Sequence, residues 1–157
     1  MKANKKGMIE VKRTTSDNAD FKRLTNLFDA YLVEIDGDEK DFFAQYNQIY
    51  IKNVIVLYEN DYALGCGAFK GYENEVAELK RMFVLPESRG KGIASKIVDS
   101  LESWMKEEGF SKCILETSRY LEPAVALYKK LGFTIIPNYG PYKNVSSSIC
   151  MQKMLTS

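Results

Sequence analysis

Between Glu75 and Ala94 a run rich in strand-forming residues passes straight into a loop carrying Gly90 and Gly92, and the loop opens a long amphipathic helix. That junction constrains the fold more than any other stretch. Val76 to Val84 reads as a strand, and Ile93, Ile97, Leu101, Trp104 and Met105, with Val98 beside them, recur at helical spacing up to Gly109. A strand that feeds a helix through a short loop must lay that helix on a face of its own sheet. The pattern then repeats. Lys112 to Glu116 reads as a strand, and Pro123 suits the first turn of a helix whose apolar face is Ala124, Leu127, Tyr128 and Leu131. Gly132 supplies its stop, and Thr134 to Ile136 and Ser147 to Leu155 read as closing strands.

Upstream of the junction the chain is organised differently. Met8 to Arg13 reads as a strand, and Ser16 or Asp17 can cap a helix through Phe21, Leu24, Phe28, Tyr31 and Ile35. Asp36-Gly37-Asp38-Glu39 breaks that helix, and a second amphipathic stretch runs from Phe42 to Ile49. Asn53 to Tyr58 and Ala63 to Lys70 form a hairpin about Glu59-Asn60-Asp61, and a turn at Gly71 to Asn74 leads into the strand at Val76. The expected order is β-α-α-β-β-β-α-β-α-β-β. This is a single α/β (α+β) domain from Met8 to Leu155, with a mixed, mostly antiparallel sheet flanked by helices.

Composition removes whole classes of chemistry. The 157 residues contain no histidine, so Ser-His-Asp and Cys-His catalysis and HExxH zinc sites are excluded. Cys66, Cys113 and Cys150 are widely spaced and form no CxxC pair, which argues against a disulfide framework and against a metal centre. Twenty-two basic residues against 21 acidic ones leave a formal charge of +1, a poor basis for nucleic-acid binding. No segment has the length and apolarity of a membrane span or a signal peptide, and the expected location is cytoplasmic.

The loop itself suggests a ligand. Glycines let the backbone approach a bound group closely, and the first turn of a helix leaves N–H groups without intrahelical partners at the positive end of the dipole. A diphosphate is a natural occupant, with Arg89 and Lys91 adding charge. The spacing is neither the GxxxxGK[ST] phosphate loop nor the GxGxxG dinucleotide fingerprint. A solvated loop accounts for RGKG equally well when it is taken alone.

The flanking residues narrow the choice. Arg89-Gly90-Lys91-Gly92-Ile93-Ala94 fits a Q/R-x-x-G-x-G/A motif preceded by A-E-L-x-x-x-x-V over Ala77 to Val84, and Ala124 to Phe133 fits A-x-x-L-Y-x-x-x-G-F. Together these resemble the GNAT N-acetyltransferase superfamily, and the resemblance covers essentially the whole chain. It implies acetyl-CoA as acyl donor, with no metal, and an amine of a small molecule as acceptor. Main-chain groups of Met82, Phe83 and Val84 are then expected against pantetheine, and the amides of Arg89, Gly90, Lys91, Gly92, Ile93, Ala94 and Ser95 around the diphosphate. Tyr128 corresponds to the tyrosine that protonates the departing thiolate, and Glu78 to the carboxylate that acts as general base. Plain packing for Tyr128, and pairing with Lys80 or Arg81 for Glu78, are the competing roles. One departure is Leu121, where many members carry asparagine.

Adjacent Lys80 and Arg81 break the alternation of their strand, which is compatible with a bulge. Asp36, Asp38, Gln45, Tyr46 and Asn47, with Tyr139 and Tyr142 from the late loop, are the expected acceptor-side residues. Carboxylates beside aromatics suit a cationic amine, and a solvated helix end explains the acidic run as well. A homodimer is a general expectation for such a chain. Two other functions fit the same motifs: a CoA-binding module without catalysis, and a nucleotide-phosphate binder using only the loop.

Overall fold

The computed structural model describes residues 7–36 and 50–156. In chain order the elements are β1 (Ile9–Thr14), α1 (Ala19–Asp36), β2 (Asn53–Glu59), β3 (Tyr62–Glu73), β4 (Val76–Val84), α2 (Ile93–Glu107), β5 (Lys112–Ser118), α3 (Glu122–Lys130), β6 (Thr134–Ile136) and β7 (Ser148–Met154). The strands form one seven-stranded sheet in the order β1-β2-β3-β4-β5-β7-β6. Its pairs are antiparallel except β4 with β5, which run parallel. The α2 crossover between these two strands is what makes a parallel pair possible. The second helix expected over Phe42 to Ile49 lies outside the described residues.

The two halves of the sheet are built as their sequences suggest, with local differences. The β2–β3 turn uses Asn60 and Asp61 at φ 53° and 69°, the left-handed pair that a tight hairpin needs. β3 runs on through Gly71, Tyr72 and Glu73, with an irregular register there. The chain reverses at Asn74 and Glu75, not over Gly71 to Asn74. Ser16 and Asp17 are not the cap of α1. Asn18 is, its Oδ1 accepting the Phe21 N–H at 2.9 Å, while the Ser16 hydroxyl accepts from Ile51 N–H at 2.9 Å and ties the helix entry to the segment before β2.

The helices cover opposite faces. α1 lies over the face that carries Cys66 and Phe83, with Phe28 and Phe83 ring centroids 5.4 Å apart. α2 lies over the face that carries Gly65, Gly67 and Phe69. Its Ile97, Leu101 and Met105 are fully buried, each stabilising the fold by about 1.5–3 kcal/mol. Such close seating requires glycine below it. A Cβ at Gly67 would sit 2.5 Å from the Met82 sulfur and 2.9 Å from both Ile97 and Leu101. The glycines of Gly65-Cys66-Gly67 are therefore the floor on which α2 rests.

Candidate active site

The parallel pair is short. β4 and β5 are in register only from Val76↔Lys112 to Glu78↔Ile114. Beyond that, β4 stays with β3 and β5 stays with β7 up to Ser118, so the two strands part and the edge of Leu79–Val84 that faces β5 has no ladder partner among the described residues. A cleft of about 520 Å3 occupies the split. Met82, Phe83, Val84, Arg89, Gly90, Gly92, Ile93, Ala94 and Ser95 line it, and Lys91 does not.

The start of α2 opens on this cleft. Gly90 and Gly92 both sit at φ 80°, and a Cβ at either would meet nothing within 4 Å. Conformation, not crowding, selects glycine there. The first intrahelical bond is Lys96 N–H to Gly92 C=O at 3.1 Å, and the cap residue supplies no side chain to the amides of Ile93, Ala94 and Ser95. Arg89 turns toward α1. Its Nε donates to the Val84 carbonyl at 2.9 Å, and its guanidinium lies 5.6 Å from the Phe83 ring centroid and 5.8 Å from that of Tyr31.

Across the cleft, α3 ends by the expected device: Phe133 N–H reaches back to Tyr128 C=O at 2.9 Å while Gly132 adopts φ 102°. Tyr128 lines the cleft, is 7% exposed, and packs edge-on to Phe133 at 5.7 Å. Burial, and then the neighbouring Cys113, pushes its phenol pKa well above the usual tyrosine value. Its hydroxyl makes no hydrogen bond among the described residues. Leu121, half-buried, also lines the cleft.

Glu78 sits at the point of divergence and is 4% exposed. Its Oε2 accepts the Tyr139 hydroxyl at 2.7 Å and its Oε1 lies 3.7 Å from Lys80 Nζ, so the pairing that competed with a basic role is present. Burial lowers the Lys80 pKa, and Glu78 opposes that shift. Tyr139 is pushed up by burial first and by Glu78 second. It stacks edge-on with Tyr142 at 5.7 Å and Tyr72 at 5.2 Å. Tyr142 is buried and lines the cleft. The other acceptor-side candidates, Asp38, Gln45, Tyr46, Asn47 and the side chain of Asp36, lie outside the described residues.

Two features went unread in the sequence. Phe28 and Tyr31 of α1 line the cleft, and nothing in their helical spacing marks them off from core residues. Arg81 is the second. Cys66 opposes Phe83 and Ala68 opposes Lys80, so Arg81 and Met82 together face the single residue Gly67. This is a bulge, with Arg81 at φ 57°. It puts Glu78, Lys80, Arg81 and Phe83 on the α1 face. The adjacent Lys80 and Arg81 signalled the bulge but not what it does.

Comparison with known proteins follows the same lines. The acetyltransferase (GNAT) family model matches residues 21–133. The uncharacterized N-acetyltransferase YjgM of Escherichia coli is 41% identical over 50% of this chain and 48% of its own length. The IAA acetyltransferase of Azospirillum brasilense is 38% identical over 59% of this chain and 61% of its own. The chain thus spans about half to three fifths of these two relatives. The uncharacterized N-acetyltransferase C1271.07c of Schizosaccharomyces pombe is 30% identical over 87% of this chain and 90% of its own. Among solved structures, the PaiA N-acetyltransferase of Thermoplasma acidophilum, in complex with coenzyme A, superimposes with a TM-score of 0.65 at 20% identity, over 94% of this chain and 99% of that one.

Proposed function

The chain belongs to the acetyltransferase (GNAT) family, and from that premise we propose that it transfers an acyl group, in the simplest case acetyl, from acetyl-CoA to the amine of a small molecule. One observation carries the reading: the unpartnered edge of β4 and the uncapped start of α2 open into the same cleft. The first offers peptide groups to the amides of pantetheine, and the second offers N–H donors and a positive dipole to a diphosphate.

Acetyl-CoA, when bound, supplies an activated thioester. The chain's own groups do the rest. A β4 main-chain N–H near Phe83 is the simplest donor for charge developing on the thioester oxygen. The Tyr128 hydroxyl passes its proton to the departing sulfur, and its raised pKa keeps it protonated well into the alkaline range. Glu78 accepts the proton that the attacking nitrogen loses, directly or through a water. Tyr139 and Lys80 hold its carboxylate in place meanwhile. A cytoplasmic setting suits three buried, unpaired cysteines, and pairing of two copies rests on the general frequency of two-fold dimers.

An acetyl-CoA-consumption assay against a panel of amines tests this, together with calorimetry using acetyl-CoA, CoA and ATP. Turnover with at least one amine, CoA binding tighter than ATP, and a fall of about 10²-fold in kcat for Tyr128→Phe are the expected results. Binding of acetyl-CoA without any turnover identifies a non-catalytic CoA module. ATP binding as tight as CoA leaves only a phosphate loop.

A further inference from the structure

Arg81 is built at some cost and left unfinished. It adopts a left-handed conformation that residues with a side chain rarely take, and backbone strain of this kind gathers at functional positions. Its side chain is 4% exposed. Nη2 donates to Asp29 Oδ1 at 2.7 Å and to the Thr25 carbonyl at 3.2 Å, and the guanidinium rests on the Phe28 ring at 5.1 Å. Nη1 is buried with no acceptor, and it is the one such side-chain atom among the described residues. Buried donors on charged groups are rarely left unpaired, because the desolvation is not returned. Asp29, the only acid bonded to Arg81 among the described residues, is half exposed, so solvent weakens its hold on that charge.

Arg81 also lines the cleft, on the same face of β4 as Glu78 and Lys80. We propose that Arg81 is the anchor for a carboxylate on the acceptor, which makes the acceptor an amine that also carries a carboxylate, as an amino acid does. This rests on the acyl-transfer reading above and names the substrate class of that same site. A single uncommitted –NH2 edge suits one carboxylate oxygen, whereas a phosphate demands several donors. The acceptor carboxylate supplies the missing partner of Nη1, and its amine is thereby directed to the divergence of β4 and β5, where Glu78 stands. The site then reads both ends of its substrate, one with a cation and the other with a carboxylate.

The test compares acceptors in pairs. Free α-, β- and γ-amino acids, their carboxamides, and simple amines including spermidine are assayed with acetyl-CoA for the unaltered protein, Arg81→Met and Arg81→Lys. Thermal melting and acetyl-CoA calorimetry run alongside. The expected result is a best acceptor bearing a carboxylate, favoured over its own carboxamide by about tenfold or more in kcat/KM. Arg81→Met brings that ratio close to one, chiefly through KM, and Arg81→Lys restores part of it. A best acceptor without a carboxylate, or an unaltered protein indifferent to amidation, overturns the proposal while leaving acyl transfer intact. If Arg81→Met melts early or fails to fold, the ratio in the unaltered protein and in Arg81→Lys decides. Acetyl-CoA binding with no amine consumed at all is a different result, which removes the acyl-transfer reading and this proposal with it.

Discussion

The starts of α1 and α2 meet the same physical problem and solve it in opposite ways. Each leaves a turn of N–H groups without intrahelical acceptors. At α1 the chain answers from within: Asn18 accepts the Phe21 N–H, and Asp20 in the first turn complements the dipole while its Oδ2 takes the Tyr58 hydroxyl at 2.7 Å. At α2 the cap is Gly92, which has nothing to offer, and the first turn carries no acidic residue. The capped end serves the fold, and on the function proposed above the bare end serves the site. Donors withheld from the protein's own side chains are donors available to a ligand.

The contrast breaks or sharpens under four measurements. The largest effect is expected from the donor itself. Acetyl-pantetheine lacks the diphosphate, so its kcat/KM should fall about 10²-fold or more below that of acetyl-CoA. Equal use of the two donors means that the bare amides hold nothing. Gly92→Val comes next. A β-branched residue at φ 80° forces the loop out of shape, and KM for acetyl-CoA should rise about tenfold. Asn18→Ala should do the reverse, removing about 1 kcal/mol of stability in a denaturant melt and leaving KM for acetyl-CoA where it was. A change in that KM would show that the α1 cap is not separate from the site. The smallest effect concerns Asp20, whose pKa is lowered first by the Tyr58 hydroxyl and then by Arg23. A depressed carboxylate contributes stability above its unfolded pKa of about 3.9 and loses it as pH falls. Solvent screening keeps this modest at an exposed pair. Asp20→Asn should flatten a shallow acid decline in Tm below about pH 5, and an unchanged curve removes Asp20 from the account.

Much of the frame was legible because it depends on local pattern. β4 and β6 have the bounds read from sequence, and Gly132 ends α3 as its position implied. Gly90 and Gly92 declare a left-handed backbone requirement that glycine meets without strain. What stayed hidden depends on neighbours distant in the chain. Asn18, directly before Ala19, caps α1, while Ser16 is engaged with Ile51, a contact no reading of residues 15–18 reveals. Tyr139 reaches Glu78 across 61 positions. Arg81 shows in sequence only as a cation beside another, and its unpaired Nη1 follows from the fold around it.

The separation of β4 from β5 has a bearing on handling as well as on chemistry. An interior strand edge without a neighbour leaves hydrogen-bonding capacity that the sheet itself does not use. A compound that presents peptide-like groups there acts as a temporary extra strand, and by mass action it raises resistance to heat and proteolysis. If the thioester binds along β4 as proposed, purification or crystallisation is best attempted with it or its free thiol in excess, since the ligand then completes the sheet.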